Sequence, residues 1–560
     1  MSICREERGG RVYLAEYKSI REGGKVKHKF VRYLGREGPD GEPVKRPKHT
    51  LSKIERHGTL RAGDVSVLWH IAEELGFVEI IDKICCGDSH IEGPTPGKLL
   101  TIWAINRVLD PESCTALSDW VVYTELPKLA GVAPESLTKD AFLTALDFVC
   151  YRDSTSGHEV DHTAMIDDML YQKWRKKNPL PPGNETVAYD LTSILFFGVT
   201  CPLAELGYNP GHVKRRQVNL ALLVSKHDKH PLAHFVYGGS RNSVSTVKNL
   251  LSRLVDSAID PGTIIWDRGN VSEAHINSVE GAGWKIICGM PKTSNEVRDI
   301  LHNAKIVPSP MTFTRKSRSG CIYAEKTKGM LYGSLQTVAV YMNQKKRMGE
   351  ADGRNEELSI IGKNLDALKD NDWPEKKLRD EIGSIIKDYE RFIWTRVNRT
   401  GKGARVKWGF RKRELEKAGS LDGIYLLYST DDLPADEIVN VYLEKDYIEK
   451  VFRILKVKED IEPVRHRLEN RVRGVIFVCV LAYRLLSVVQ YRLAQQGASI
   501  SWERAEEVLN ALSRVERMEV RYGKQMQIWY LNVTDKVKKS VKIVGYPGLF
   551  KDSEIEPVEM

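Results

Sequence analysis

The chain has 560 residues, too many for one ordinary domain at about 100 to 200 residues each, and its 85 Lys and Arg against 75 Asp and Glu leave a formal charge of +10. That modest excess favours a polyanionic partner without requiring one. The nine cysteines include no CxxC pair, which argues against a disulfide framework or a zinc module and for a reducing, cytoplasmic setting.

The N-terminus, "MSICREERGGRVYLAEY", is charged and has no apolar stretch of the kind a secretory signal needs. Residues 1 to about 50 then alternate apolar and polar positions around Gly23 and Gly24, which predicts a β-hairpin with basic outward positions. From Val65 to about Arg152 the period becomes helical, as in "VSVLWHIAEELGFVEIIDKI". A turn-rich linker, "KKNPLPPGNE", precedes strand signals at 185–198, 218–226 and 231–239. An amphipathic helix, "SVSTVKNLLSRLVDSA", and the short strands "TIIWDRG" and "WKIICGMPK" follow. Three strands followed by alternating helix and strand describe a mixed sheet with covering helices. The apolar run from Gly474 is interrupted by Arg484 and is shorter than the roughly 20 residues that span a bilayer, so it reads as a buried helix and no membrane partner is expected.

Two carboxylates stand out against this pattern. Asp190 lies in the strand-like "VAYDLTSILFFG", and Asp267 ends the apolar strand "TIIW". Ligands gather at the carboxyl ends of strands in open α/β sheets, and oxygen donors on rigid strands suit Mg2+ or Mn2+. A third acid is offered by "VYLEKDYIEKVFRILK", where Lys445, Glu449 and Lys456 follow Tyr442 at +3, +7 and +14. At about 100° per residue the four span roughly 60° of arc beside an apolar stripe. An acid flanked by cations is what a metal ligand working beside phosphates needs. Singly, each has a plainer reading, Asp190 as a strand-end residue and Glu449 as half of a solvated i,i+4 pair.

In combination, "YDLTSILF", "WDRGN" and Y-x2-K-x3-E-x6-K resemble the three catalytic blocks of DDE transposases of prokaryotic insertion sequences, specifically the group carrying the YREK signature. The resemblance extends to "GYNPGHVKRRQVNLALLVSKHDKHPLAHFVYGGSRNSVSTV", "NRVLDPES" and "AFLTALDFV" and covers most of the chain. It implies a ribonuclease-H-like core holding two divalent ions, Mg2+ or Mn2+, on Asp190, Asp267 and Glu449. It further implies that Tyr442, Lys445 and Lys456 are signature residues around transferred DNA, and that a homodimer joins two element ends. Lys445 stands where the signature has arginine, and Val475 where many such enzymes have histidine.

Asp267 and Glu449 are 182 residues apart, far more than one strand-to-helix connection needs. The resemblance implies a mostly β domain inserted there. That interval also holds "RVNRTGKGARVKWGFRKR", eight Lys or Arg and no acid, interleaved with Trp408 and Phe410. Cations on phosphates and an aromatic on an unpaired base would make this a DNA contact, through Lys402, Arg405, Lys407, Trp408 and Arg411; a solvated charged loop is the plainer alternative. Lys214 and Arg215 are further DNA-contact candidates. "GPTPGKLL" departs from phosphate-loop spacing and "GKGARV" does not link a strand to a helix, so no nucleotide cofactor is implied.

The expected architecture is multidomain α/β. It comprises a hairpin region (1–50), a helical module for DNA ends (51–155), a ribonuclease-H-like mixed sheet (156–292 and 437–495) interrupted by a mostly β insertion (293–436), and a C-terminal region (496–560). The expected activity is metal-dependent cleavage and strand transfer on DNA in the cytoplasm, at the nucleoid. The competing expectation is an inactive DNA-binding descendant acting as a repressor or architectural protein; a plain metal-dependent nuclease is a third.

Overall fold

The structure is a computed structural model of the chain. It describes all residues except 9–10, 39, 44–53, 153–156, 210, 242, 257–258, 268–271, 305, 310–311, 318–319, 370–372, 402, 498–499, 523–524, 552–554 and 558–560. The chain divides into two compact units. One comprises Met1–Val65, Tyr123–Glu125 and Val508–Met560; the other comprises Ser66–Val122 and Leu126–Glu507.

In the first unit β1 (Ser2–Arg8), β2 (Arg11–Glu22) and β3 (Lys25–Arg36) form an antiparallel sheet. Gly23 and Gly24 make the β2–β3 turn with φ of 60° and 77°, a left-handed pair that glycine adopts without steric cost. β4 (Ile54–Arg61) belongs to a different sheet, shared with C-terminal strands.

Helix α1 (Gly63–Leu75) leads into the second unit, followed by α2 (Phe77–Cys86), α3 (Pro96–Leu109), α4 (Cys114–Val121), α5 (Lys139–Val149) and α6 (Thr163–Lys177). The start of α3 is written in the sequence: the Thr95 hydroxyl accepts from the Lys98 N–H, and Pro96 occupies the first turn. Next come β5 (Thr186–Leu195), β6 (Arg216–Ser225), β7 (Pro231–Gly238), α7 (Ser243–Asp256), β8 (Thr263–Trp266), α8 (Glu273–Gly281) and β9 (Lys285–Gly289). These coincide with the strands and helices expected from the apolar runs.

The segment 293–436 holds α9 (Asn295–Asn303), β10 (Phe313–Ser317), β11 (Gly320–Leu331), β12 (Ser334–Asn343), α10 (Gln344–Ala367) and α11 (Glu375–Ile386). It continues with β13 (Ile393–Thr400), β14 (Gly403–Phe410), α12 (Lys412–Ser420) and β15 (Ile424–Ser429). Its strands do not stand apart. The main sheet runs β7-β6-β5-β8-β9-β15-β12-β11-β10, so four strands of that segment extend the sheet that carries Asp190. β5, β8 and β9 are parallel neighbours and the other pairs are antiparallel. Among the described residues of that segment, β13 and β14 form a separate hairpin, packed on α10 and α11 around Leu365, Leu378, Phe392 and Val406.

The second unit closes with α13 (Ala435–Leu443), α14 (Asp446–Val457), α15 (Glu469–Gln495) and the start of α16 (Trp502–Leu512). The single helix expected over Val441–Lys456 is therefore two. At the junction the Lys445 N–H donates to the Tyr442 carbonyl and the Ile448 N–H to the Lys445 carbonyl. These i→i−3 bonds overwind the chain for one turn. In the first unit β16 (Glu516–Tyr522) pairs with β4 and with β17 (Gln525–Leu531). The N-terminal and C-terminal regions, separate in the sequence reading, thus share a unit.

α15 is long and apolar enough to cross a membrane by length and composition, yet 94% of its most apolar window is buried within the protein. Arg484 explains how a cation is tolerated there. Fully buried, its guanidinium donates to Asp167 Oδ1 on α6 at 2.9 Å, to the Leu232 carbonyl on β7 at 3.3 Å and lies 3.2 Å from His230 Nε2. Asp167 also pairs with His234 on β7 at 2.7 Å. Burial alone would raise the Asp167 carboxyl, but His234 and Arg484 hold it down at about 2. Burial, then the neighbouring Arg484 and Arg175, pushes His230 well below its ordinary range, so it is neutral and can accept from Arg484.

Breaking this pair from one side should be far worse than removing it whole. Arg484→Met should lower stability by roughly 3–5 kcal/mol, because it leaves the Asp167 charge buried. Arg484→Met combined with Asp167→Leu should recover most of that loss, read as the denaturant midpoint. Equal losses in the two variants would show that packing of α15, not the ion pair, sets the stability.

Candidate functional site

β5 and β8 are in parallel register with Trp266 beside Tyr189. The next residue on each chain is an aspartate, so Asp267 and Asp190 come side by side where β8 ends. Because side chains alternate along a strand, Tyr189 and Trp266 enter the apolar core beneath the sheet while the two aspartates take the other face. Gly262 sets the height of β8: a Cβ there would lie 1.9 Å from the Glu185 carbonyl oxygen, so only glycine permits that approach.

α14 lies over that face, packed on β5 and on α15. Tyr447, Ile448, Val451, Phe452 and Leu455 are buried, leaving Glu449 exposed at the rim. Lys456 fixes the far end, donating to the Ser193 carbonyl of β5 at 2.5 Å and lying 3.7 Å from Glu462. Burial lowers the Lys456 pKa, with Glu462 opposing it. At the near end the Tyr442 hydroxyl donates to Asp267 Oδ1 at 3.1 Å, and the Lys445 ammonium lies 3.1 Å from the same oxygen. Asp190 accepts from the Leu191 N–H at 2.8 Å.

The electrostatics tie the three acids together. Burial raises the Asp190 pKa to about 6; the Leu191 N–H and Lys445 pull it down, while Asp267 and Glu449 push it up. A carboxyl repelled by two others is one that a bound cation would relieve. The donor chemistry fits a hard divalent ion, since the converging groups are carboxylate oxygens. Among the described residues, however, no three His, Cys, Asp or Glu side chains stand grouped as a ready metal cage, and Lys445 and Tyr442 hold the Asp267 oxygen instead.

A cleft of about 720 Å³ opens over Asp267, Tyr442, Lys445 and Glu449, and Lys292 and Lys346 line it as well. Sequence reasoning missed these two lysines. Lys292 follows β9 and Lys346 begins α10, and the Lys292 ammonium lies 4.4 Å from the centre of the Tyr425 ring and 3.5 Å from Glu350. A lysine just past the carboxyl end of a central strand was the available signal.

The remaining expected DNA contacts lie elsewhere. Lys402 falls outside the described residues. Arg405 and Lys407 are exposed on β14, alternating with buried Ala404 and Val406, and Arg411 is exposed just after it. Lys407 directly opposes Arg396 across the hairpin, an unfavourable like-charge pair that a polyanion would relieve. Trp408 is half-buried; its indole donates to Asp366 on α10 at 3.0 Å and meets Phe410 edge-on. Lys214 and Arg215 are exposed before β6, with Arg215 stacked 3.8 Å over the Phe197 ring.

A buried carboxylate kept near like charges costs stability when ionised. Because burial and repulsion raise the Asp190 pKa above its unfolded value, the penalty grows as pH climbs from about 4 to about 6 and is complete above that. Without divalent ions, Asp190→Asn should therefore stabilise the chain at pH 8 by roughly 1–2 kcal/mol, a figure discounted for the side chain's partial contact with solvent. The gain should fade toward pH 4 in denaturant unfolding. A gain that does not change with pH would mean that the asparagine acts through hydrogen bonding, not charge.

A family model described as the transposase DDE domain matches residues 182–485. No curated protein matches the chain. Among solved structures, a cryo-EM structure of a piggyBac transposase synaptic complex with hairpin DNA is similar at 10% identity, with 82% of each chain covered and a TM-score of 0.40. The family match takes in more than half of the chain, including Asp190, Asp267, Glu449 and the helices that frame them, and the chain therefore belongs to the DDE-domain transposases.

Proposed function

We propose that this transposase binds the ends of an insertion sequence of the YREK group and catalyses metal-dependent DNA cleavage and strand transfer. One observation carries the reading: the β5–β8 register sets Asp190 beside Asp267, and Asp190 is electrostatically coupled to both Asp267 and Glu449. The strand order β7-β6-β5-β8-β9, with its antiparallel outer pair and parallel inner strands, supports a ribonuclease-H-like core extended at one edge by the inserted strands.

Asp190, Asp267 and Glu449 would hold two divalent ions, Mg2+ or Mn2+. Such ions supply activation of water or of a 3′ hydroxyl and neutralisation of the leaving oxygen, so no covalent enzyme intermediate is required. The chain's own side chains do the positioning. Tyr442 and Lys445 orient the Asp267 carboxylate and keep its charge compensated while the cleft is empty of substrate. Lys456 ties α14 to β5 and so fixes the height of Glu449 above Asp190. Lys445, Lys292 and Lys346 give the cleft the cations that a phosphate backbone needs.

DNA outside the cleft would run over the basic β13–β14 hairpin, through Lys402, Arg405, Lys407, Trp408 and Arg411, and over Lys214 and Arg215. Two ends joined in concert call for a homodimer, working at the nucleoid.

The test is a Mg2+-dependent cleavage and joining assay on labelled DNA from the flanks of this gene, with wild type and Glu449→Gln. Wild type should yield joined products. Glu449→Gln should lose at least the roughly 10–100-fold that an outer-shell metal partner is worth. Cutting without joining would favour a nuclease; DNA binding with no cutting by either would favour an inactive DNA-binding descendant.

A further inference from the structure

On the face of α14 turned away from Glu449, a second cavity of about 430 Å³ shares no lining residue with the cleft. Its walls come from α14, from α15, from the turn before β7 and from the start of α16, all within the second unit. The volume falls in the range of small-molecule sites. Three of its properties point to the chemistry of an occupant.

The first is charge. Lys229, Lys450, Arg453 and Lys458 line the cavity against a single carboxylate, Glu503. Lys458 is paired with Glu506 at 3.3 Å, but Lys450 and Arg453, exposed at the rim, form no hydrogen bond or ion pair among the described residues. Lys229 is held deep, with φ of 59°, its ammonium 3.9 Å from the centre of the Tyr447 ring. Burial lowers its pKa to about 8, with Glu444 opposing it, and the ammonium donates to the Lys226 carbonyl.

The second is unmet hydrogen bonding on the floor. Gln490 and Tyr483 on α15 are each 2% exposed and line the cavity. Neither the Gln490 amide nor the Tyr483 hydroxyl has a hydrogen-bond partner among the described residues. Both polar ends open onto the cavity, where a polar ligand or water can meet them. The third is the aromatic wall, formed by Trp502, whose indole N–H is fixed on Glu506 at 2.6 Å.

We propose that this cavity is a binding site for a nucleoside phosphate, with the phosphate at Lys450 and Arg453, the base against Trp502, and the base edge on Gln490 and Tyr483. A glutamine amide offers a donor and an acceptor side by side, the pattern that reads a purine edge. Inorganic phosphate alone would satisfy the rim but leave the floor unmet. The nucleotide has two possible sources, a free molecule or one unit of a DNA strand, and the chemistry is the same for both. No nucleotide motif announces the site, because its groups come from four separated segments and not from a glycine-rich loop.

The experiment is calorimetric titration of the full chain with AMP, with inorganic phosphate and with a short oligo(dA), using wild type and the double variant Lys450→Glu/Arg453→Glu. Both substitutions sit at exposed positions of α14, and an unchanged melting temperature would show that the variant folds. AMP should saturate one site, bind more tightly than phosphate and weaken at least about tenfold in the variant, the scale of one lost charge-assisted bond. Saturation by oligo(dA) but not AMP, with the same loss, would support the site and identify a strand as the source. AMP and oligo(dA) binding that ignores the double variant, or phosphate binding as tight as AMP, would overturn the proposal. Gln490→Leu adds a floor-specific readout: it should weaken AMP but not phosphate. The outcome is separable from the cleavage assay, since a chain that binds AMP and never cuts DNA would sink the transposition reading and leave this site standing.

Discussion

The buried pairing of Arg484 with Asp167 is the constraint on which the geometry of the carboxylate cleft rests. Apolar contacts along a helix of 27 residues are non-directional, so they fix its register less sharply than a directional bond does. A guanidinium bonded at once to α6, to the β7 backbone and to His230 has one satisfactory position. Specificity of this kind is what buried polar groups supply best, often at some cost in stability. Ser487, one turn further on, donates to the Arg484 carbonyl and accepts from His230 Nδ1–H at 2.8 Å, a second tie on the same register. α14 packs on α15 and on β5, so the height of Glu449 over Asp190 inherits whatever fixes α15.

From there the site is a problem of like charges. The register that sets Asp190 beside Asp267 follows from ordinary strand pairing, and it would be unfavourable with nothing to offset it. The protein offsets it from the helical side: Lys445 reaches both carboxylates electrostatically, and the overwound turn between α13 and α14 lets Tyr442 and Lys445 converge on one oxygen. A lysine serves here where a planar guanidinium would engage both carboxylate oxygens. Here the ammonium makes a single-point contact, at Asp267 Oδ1.

The strands of the main sheet were readable because they are short apolar runs bounded by turn residues, and the two aspartates were readable because each interrupts such a run. The apolar stripe of α14 likewise follows from periodicity. What periodicity does not carry is the break at Glu444–Lys445, since Glu and Lys are good helix formers and the turn is set by tertiary contacts of Tyr442. Nor does it carry the pairing of β12 with β15, which joins residues more than 80 positions apart and turns an expected separate insertion into an extension of the sheet. Lys292, Lys346 and Glu350 meet over the site only because of that pairing. Trp408 was legible as an aromatic amid cations, but its tie to Asp366 on α10 is a contact across 42 residues that composition does not encode.

α14 thus separates two environments with one set of turns. Its buried stripe is anchored on α15 and β5, Glu449 lines the cleft, Lys456 bonds to β5, and Lys450, Arg453 and Val457 line the second cavity. Only the first site holds a carboxylate among carboxylates, and there Tyr442 and Lys445 compensate Asp267. In the other, cations face unpaired polar groups with one carboxylate nearby. The two sites differ in sign and in satisfaction while sharing a backbone whose position is set by the same buried arginine, so a displacement of α15 would move both together.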